Sequence, residues 1–375
     1  MPPTARKMPH VRPARPIDWS GDKQINLALQ GGGSHGAFTW GVLDFLLEDR
    51  RLDIEAITGC SAGAMNAVVY AEGYLEKGRE GARERLHDFW HSISDDGTLI
   101  GTQRSLFEKL FSGMKFEDSA GFQMMDLMSH YLSPYQFNPL DLNPLRDHLV
   151  KMIDFEKVRS CENLKVFVSA TNVHTGKIQI FQRRELTADH IMASACLPFM
   201  FKAVEIQGVP YWDGGYMGNP ALYPLFYHAA SPDVLIVQVN PVERPTTPKT
   251  AREIQDRLNE ITFNGTLLRE FRAIEFVNRL IDDGKLPEGE YRQAFIHRID
   301  GGSQLMGFSA SSKLNTSWDF LLGLRNLGRE SAKRFLREHY QDIGERGTLD
   351  LREAFSGGQV LPPPGQMGLV EEEVK

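Results

Sequence analysis

The chain has 375 residues, and its 42 lysines and arginines against 49 aspartates and glutamates give a formal net charge of −7. The apolar share of 41 % and the charged share of 24 % are ordinary for a globular protein, which excludes a disordered or collagen-like chain. The acidic balance, without a dense basic stripe, gives no reason to expect nucleic acid as a partner.

Composition divides the chain into predicted segments. Residues 1–22 form a flexible leader that is not followed by the apolar run of a signal peptide. A catalytic domain is predicted over 23–245, with an insertion at 92–145 that is rich in methionine and aromatic side chains. A mostly helical region over 246–355 and a disordered tail over 356–375 follow. The insertion could be a lid that meets lipid aggregates or an ordinary cap packed on its own core.

The first domain alternates short strands with helices. Residues 24–30 predict a buried strand that ends at three glycines, and helical spacing begins at Gly36. Residues 54–58 predict a second strand, and a second helix follows Gly63. Further strands are predicted at residues 164–170, 177–181, 234–239 and 292–299. This order predicts an α/β fold with a central, mainly parallel sheet and right-handed crossovers.

The cysteines give no sign of a disulfide framework or a zinc site. Cys60, Cys161 and Cys196 lack C-x-x-C spacing and a neighbouring histidine cluster. We therefore expect a reducing compartment, the cytoplasm, and no metal. No apolar run is long enough to span a bilayer, so membrane contact is expected to be peripheral at most. No feature of the sequence predicts an oligomeric state.

The first motif is G-x-S-x-G at residues 59–63, in which Gly59 and Gly63 flank Ser61. Such small neighbours let a strand turn sharply into a helix and hold the serine hydroxyl out above the sheet. Here a strand precedes and a helix follows, as this elbow requires. The Ala62 amide at the helix start could stabilise charge on a reacting carbonyl oxygen. The motif therefore predicts a nucleophilic serine.

The second motif is the glycine loop at residues 31–36, which also fits a dinucleotide-binding G-x-G-x-x-G pattern. That reading needs an acidic residue at the end of the second strand, where Thr58 stands, and a phosphate loop needs Lys-Ser/Thr where Ala37-Phe38 stand. One right-handed crossover should bring this loop beside the elbow. An oxyanion hole is therefore predicted from the amides of Gly31, Gly32, Gly33, Ser34 and Ala62.

The third motif is Asp213-Gly214-Gly215, which alone is more often a structural turn than a catalytic one. Taken together with the block at 193–198, however, the motifs resemble the patatin-like phospholipase family in their order. The similarity extends over residues 25–239. His35 departs from the pattern, because the family commonly has Arg or Lys there, so a fixed cationic contact to a phospholipid head group is not implied.

The resemblance implies a three-layer α/β domain and a serine acyl-ester hydrolase of lipids, of the phospholipase A type. It implies Ser61 as nucleophile, Asp213 as base and a covalent acyl-enzyme, without a metal or an organic cofactor. An aspartate with an unperturbed pKa of about 3.9 is a weak base, so we expect the oxyanion donors to compensate. The mostly helical C-terminal region resembles an extension found in some bacterial members.

Three alternatives stay open at this point. An α/β-hydrolase would use a Ser, Asp, His triad, for which His297 is the well-placed late histidine. The substrate could also be a thioester or a stored polyester rather than a lipid ester. From another class, the protein could be a non-catalytic lipid-binding scaffold, although it retains both Ser61 and Asp213.

Overall fold

The computed structural model describes residues 23–94, 133–138, 141, 143–287, 290–308 and 310–356. The predicted leader, most of the predicted insertion and residues 357–375 of the predicted tail lie outside the described residues. The interpretation of the insertion as a lid or a cap therefore stays a prediction.

A single sheet of eight strands organises the part of the chain that the structure describes. Its spatial order is β5-β6-β3-β2-β1-β7-β8, and β4 also pairs with β3. The pairs β1-β2, β2-β3, β1-β7 and β7-β8 are parallel, whereas β4, β5 and β6 pair antiparallel. The strands are β1 (Lys23–Leu29), β2 (Leu52–Gly59), β3 (Lys165–Asn172), β4 (Ile178–Gln182), β5 (Val204–Ile206), β6 (Val209–Asp213), β7 (Asp233–Gln238) and β8 (Phe295–Asp300).

Helices cover both faces of this sheet. Among them, α2 is interrupted at Gly78, which has φ 64°. The helices are α1 (Gly36–Asp49), α2 (Ala62–Ile93), α3 (Pro134–Phe137), α4 (Pro144–Met152), α5 (Phe155–Ser160), α6 (Ala188–Ser194), α7 (Tyr223–His228), α8 (Ala251–Asp282), α9 (Gly302–Met306), α10 (Trp318–His339) and α11 (Leu351–Ser356).

The alternation of side chains along the strands divides the core into two layers. In β1, Leu27 and Leu29 face a core shared with α1, α2 and α10, whereas Ala28 faces a core shared with α7, α8 and α11. Strands buried on both faces are typical of parallel sheets covered by helices. The predicted three-layer α/β fold with a mainly parallel sheet is confirmed.

The C-terminal region is mostly helical, as predicted, and it is also part of the sheet. Strand β8 pairs with β7 along its whole length. Helix α10 packs against α1 so closely that a Cβ at Gly328 would collide with the Phe38 carbonyl oxygen. The buried Asp44 carboxylate of α1 also pairs with Arg325 and Arg329 of α10. The predicted segments on either side of residue 245 therefore share one sheet and one helical layer.

The short strands β5 and β6 were not predicted. Each breaks the apolar pattern of a buried strand, with Glu205 inside β5 and Pro210 inside β6. β5 is the edge strand, where charge is tolerated, and Pro210 lies outside the part of β6 that pairs with β3. Their position matters because β6 ends at Asp213.

The close contact between α1 and α10 gives a test with a matched control on one helix. We expect Gly328→Ala to lower the free energy of unfolding by about 1–3 kcal/mol, because the added methyl group must force the two backbones apart. Gly323→Ala on the same helix should instead be neutral or raise it by up to about 1 kcal/mol, because its Cβ meets no atom within 4 Å. Denaturant titration of both variants measures the difference. Equal effects would contradict the packing.

Candidate active site

Two loops lie side by side at the carboxyl edge of the sheet. Strands β1 and β2 run parallel with Leu29 opposite Gly59, so the segments that follow them leave the sheet together. Gly31 touches the second loop, because a Cβ there would lie 2.8 Å from the Cβ of Ser61. The predicted proximity of the glycine loop to the elbow is therefore confirmed.

Ser61 has a strained backbone, with φ 50° and ψ −121°. Such a conformation costs a non-glycine residue about 1–3 kcal/mol and is typical of a nucleophile held on a sharp strand-to-helix turn. The turn can close because Gly63 packs on β1, where a Cβ would collide with the Leu29 carbonyl oxygen. The Ser61 amide donates to the Ser194 Oγ at 2.9 Å. The predicted elbow thus forms at the start of α2.

Strand β6 brings Asp213 to the same edge. β6 runs antiparallel to β3, with Asp213 opposite Ala170. The Asp213 amide donates to the Cys196 carbonyl oxygen at 2.8 Å, and the Thr171 hydroxyl donates to the Asp213 carbonyl oxygen at 2.8 Å. The side chain of Asp213 is only 2 % exposed. Main-chain contacts therefore fix a buried carboxyl group beside the elbow.

The Asp213 carboxylate contacts the elbow directly. Its Oδ1 accepts the Gly215 amide at 2.7 Å and lies 3.4 Å from the Cys60 Sγ. The Ser61 side chain also acts on this carboxylate as a donor that favours its ionised form. Burial raises the pKa of Asp213 to about 6, although these three donors act in the opposite direction. The expectation of an aspartate with an ordinary pKa is therefore wrong, and this carboxylate is a stronger base than a free one.

The amides predicted to form the oxyanion hole are not equivalent. The Gly31 amide donates to the Asn219 Oδ1 at 2.7 Å, which removes it from the predicted set of free donors. The 3₁₀ turn Gly33–His35 and helix α2 both begin at this edge, so their first amides lack a carbonyl partner one turn earlier. The amides of Gly32, of the first two residues of that turn and of Ala62 remain candidates.

A polar network behind the glycine loop was missed by the sequence analysis. The Asn240 Nδ2 donates to the Gly31 carbonyl oxygen at 2.6 Å, and the Gln30 Oε1 accepts the amides of Val239 and Asn240, each at 3.0 Å. Asn219 and Asn240 lie 188 and 209 positions from Gly31 in the chain. No local pattern connects residues so far apart, so only the fold identifies them as supports of the loop.

The two histidines that could replace Asp213 as base are bound elsewhere. On β8, the fully buried His297 places its Nε2 3.0 Å from the Asp233 Oδ1 and its Nδ1 3.0 Å from the Thr348 Oγ1. The His35 Nε2 shares a hydrogen bond of 2.7 Å with the Ser312 Oγ. Burial also lowers the pKa of His35 to about 3. Both nitrogens of His297 are therefore occupied, and His35 is a neutral, structural side chain.

The arrangement combines a serine hydroxyl, a carboxylate able to accept its proton, and backbone amides that can face a developing negative charge. These are the parts of a site for acyl transfer through a serine nucleophile. Among the described residues, no group of three or more histidine, cysteine or acidic side chains is placed to hold a metal ion. In the same part of the chain, every helix is too short or too polar to span a bilayer.

Comparison with protein families agrees with this geometry. The model of the family described as patatin-like phospholipase matches residues 27–226, which is more than half of the chain. The chain belongs to the patatin-like phospholipase family. The matched region contains the glycine loop, the elbow and Asp213. No curated protein sequence matches the chain.

Solved structures similar to the chain include the following three. VipD from Legionella pneumophila has 14 % identity and a TM-score of 0.37, with 84 % of this chain and 67 % of that chain covered. Human GIVD cytosolic phospholipase A2, in complex with methyl gamma-linolenyl fluorophosphonate, has 12 % identity and a TM-score of 0.37, with 89 % of this chain and 59 % of that chain covered. The type III effector protein ExoU has 15 % identity and a TM-score of 0.29, with 85 % of this chain and 54 % of that chain covered. The chain thus spans between about half and two thirds of the length of these proteins.

Because Asp213 is buried, its negative charge is expected to lower the stability of the fold. Because its folded-state pKa of about 6 exceeds the ordinary 3.8, stability falls as the pH rises through this window and stays lower above it. Asp213→Asn should therefore raise the free energy of unfolding at pH 8, by about 1–3 kcal/mol, and the gain should vanish near pH 4. Denaturant titrations across this pH range measure it.

Asp44→Asn is the matched control with the opposite sign. Hydrogen bonds and charges of Arg83, Arg325 and Arg329 lower the pKa of Asp44 against the effect of its burial. Its replacement should therefore destabilise the fold at pH 8, and less so in acid. A loss of stability on Asp213→Asn at pH 8 would contradict the desolvated carboxylate.

Proposed function

We propose that this protein hydrolyses lipid acyl esters, as a phospholipase A or lipid acyl hydrolase, through a Ser61–Asp213 dyad and a covalent acyl-enzyme. The single observation that carries the proposal is that the strained Ser61 lies at the same sheet edge as the buried Asp213 carboxylate, whose pKa it influences. A serine is a weak nucleophile unless an adjacent base takes its proton. Asp213, with its pKa raised to about 6, is that base.

In the acylation step, the Ser61 oxygen attacks the ester carbonyl carbon while its proton passes to Asp213. The carbonyl oxygen becomes an oxyanion, which the amides of Gly32, Gly33, Ser34 and Ala62 stabilise. The carbon–oxygen bond to the alcohol then breaks, and the leaving alkoxide takes the proton from Asp213. The acyl group remains on Ser61 as an ester.

In the deacylation step, Asp213 accepts a proton from a water molecule that attacks the acyl-enzyme. The same amides hold the second oxyanion, and the proton returns to the Ser61 oxygen as the fatty acid leaves. Asp213 thus acts alternately as base and acid. This sequence needs neither a metal nor an organic cofactor.

We propose that residues 23–245 are the catalytic domain and that 246–355 complete it, since β8 and α10 are joined to its sheet and helices. A cytoplasmic location is part of the proposal and is supported by Cys60, Cys161 and Cys196, which are all free. Contact with membranes is proposed to be peripheral, at the lipid substrate.

Ser61→Ala should abolish hydrolysis of a soluble p-nitrophenyl ester, because it removes the nucleophilic oxygen. The melting temperature should not fall, because the hydroxyl contributes little to the packing of the fold. Release of fatty acid from phospholipid vesicles should disappear with it. Asp213→Asn should lose most of the rate, whereas His297→Gln should keep a large part of it. If a folded Ser61→Ala variant keeps substantial turnover, the nucleophile is misassigned.

The same assay separates the alternatives. Faster turnover of acyl thioesters or hydroxyacid oligomers than of lipid esters would favour those substrates. Vesicle binding by the wild-type protein without turnover would favour the lipid-binding scaffold. Near-complete loss of activity in His297→Gln, with the fold preserved, would favour the triad.

The pH dependence of kcat/KM should report the Asp213 base. We expect a rising limb with an apparent pKa near 6, below which the rate falls about tenfold per pH unit as the carboxylate becomes protonated. Glu270→Gln is the control, because burial raises the pKa of Glu270 to about 7 although it binds only the backbone of α7. That variant should keep the limb near 6. A limb that moved with Glu270 would exclude Asp213 as its source.

A further inference from the structure

A segment of the C-terminal region packs directly onto the glycine loop. Residues Ala310–Leu314 form a 3₁₀ turn, and a Cβ at Gly33 would collide with the Lys313 carbonyl oxygen. The hydrogen bond between His35 and Ser312 joins the same two segments, which are 277 positions apart in the chain. The 3₁₀ turn therefore lies against the loop proposed to hold the oxyanion.

Arg244 anchors the chain that leads into this turn. Its guanidinium donates to the carbonyl oxygens of Met306 and Phe308. It also pairs with Glu260 of α8 at 2.6 Å, and Arg257 binds the same carboxylate at 3.1 Å. A charge network thus ties the segment before the 3₁₀ turn to α8.

Asn240, which follows β7, connects the 3₁₀ turn to the glycine loop. Its side chain is 1 % exposed. The Asn240 Oδ1 accepts a hydrogen bond from the Lys313 Nζ at 2.7 Å. The Asn240 Nδ2 donates to the Gly31 carbonyl oxygen at 2.6 Å and to the Gln30 Oε1 at 3.2 Å. One side chain therefore links the ammonium group of the turn to the backbone of the loop.

The orientation of the Asn240 amide is determined from both sides. An ammonium group only donates hydrogen bonds, so the atom that faces Lys313 must be the amide oxygen. The Gln30 Oε1 already accepts the backbone amides of Val239 and Asn240, so the atom that faces it must be the amide nitrogen. The Gly31 carbonyl oxygen therefore meets a donor. With the amide turned over, it would meet a second oxygen.

The hydrogen bond to the Gly31 carbonyl oxygen also sets the direction of the Gly32 amide. Both groups belong to one planar trans peptide unit, in which the C=O and N–H bonds point in opposite directions. Within the described part of the chain, the buried Gly32 amide donates to no acceptor. Buried amides without a partner are rare and call for an explanation. The Gly32 amide thus points away from Asn240 and can donate to a ligand atom.

We propose that Asn240 and Lys313 are positioning residues, which orient the peptide between Gly31 and Gly32 so that the Gly32 amide faces the oxyanion formed at Ser61. The proposal rests on the function proposed above and deepens it. It gives the C-terminal region a part in the chemistry, because Lys313 reaches Asn240 from the 3₁₀ turn that lies on the glycine loop.

The first test replaces Asn240 with a side chain of the same shape. Asn240→Asp keeps an acceptor for Lys313 but sets a carboxylate oxygen against the Gly31 carbonyl oxygen, so the Gly32 amide should turn away from the oxyanion. We expect kcat on a soluble p-nitrophenyl ester at pH 8 to fall about 100-fold, with KM nearly unchanged, because the oxyanion exists only in the transition state and the intermediate.

Asn278→Asp is the matched control on α8. The half-buried Asn278 also donates through its Nδ2 to a backbone carbonyl oxygen, that of Ala294 at 2.9 Å. Ala294 precedes β8 and so lies at the amino edge of the sheet, opposite the active site. This variant should therefore keep the wild-type kcat, even where it lowers the melting temperature.

The second test separates Lys313 from Asn240. Lys313→Met should lower kcat about fivefold to tenfold with KM unchanged, because the amide of Asn240 loses a hydrogen bond from a charged donor. The effect should be smaller than that of Asn240→Asp, because Gln30 still holds the amide from the other side. Lys313→Arg, which keeps a charged donor, should restore most of the rate.

A third readout needs no turnover. The Ser61 oxygen adds to the carbonyl carbon of an alkyl trifluoromethyl ketone, its proton passes to Asp213, and the ketone oxygen becomes an oxyanion like that of the transition state. The inhibition constant of this ketone should rise in Asn240→Asp and Lys313→Met by about the factor that kcat/KM falls. The corresponding secondary alcohol forms no adduct, and its inhibition constant should not change.

The outcomes distinguish this proposal from the proposed function. A wild-type kcat in folded Asn240→Asp, a rise in KM alone, or an equal loss in Asn278→Asp would overturn the role of Asn240 and Lys313 while Ser61 activity stands. If Asn240→Asp does not fold, a wild-type kcat in Lys313→Met would overturn it. Absence of wild-type turnover would contradict the proposed function instead, and the ketone would still decide whether Asn240 orients an oxyanion donor.

Discussion

The burial of one carboxylate beside one serine is the constraint on which the site depends. Asp213 is held by main-chain hydrogen bonds at the end of β6, where its side chain is out of water and its pKa rises to about 6. In water an aspartate is too weak a base to activate a hydroxyl, but desolvation makes this one stronger without adding another residue. In the proposed dyad, this carboxylate takes the role that a histidine has in other serine hydrolases, and its buried charge is expected to destabilise the fold.

The rest of this sheet edge holds two backbones close together around that carboxylate. Parallel pairing of β1 and β2 brings the glycine loop and the elbow out side by side, and residues without side chains let them touch. Helix α2 starts directly after Ser61, so the positive end of its dipole adds to the free amides. The C-terminal region completes the arrangement, since β8 extends the sheet and the 3₁₀ turn with Lys313 covers the glycine loop. The segments before and after residue 245 are thus one physical unit at this edge.

Local patterns in the sequence predicted the parts of the fold and of the site that depend on neighbouring residues. The strand, glycine loop and helix from residue 24 onward follow from spacing and turn chemistry, and the proximity of the elbow follows from the handedness of the crossover. The features of the site that the sequence could not predict depend on contacts between distant segments. Asn219 takes the Gly31 amide out of the oxyanion set, and Lys313 approaches from the far end of the chain. The raised pKa of Asp213 belongs to the same class, because burial is a property of the whole fold.

The most direct test of the account is the pH dependence of fluorophosphonate labelling, with the labelled peptide identified by mass spectrometry. Labelling needs an activated nucleophile but no particular lipid, so it isolates the dyad from substrate choice. The account predicts a single label on Ser61, a labelling rate that rises with an apparent pKa near 6, and loss of that dependence in Asp213→Asn. A label on another residue, or a wild-type pH dependence that persists in Asp213→Asn, would contradict it.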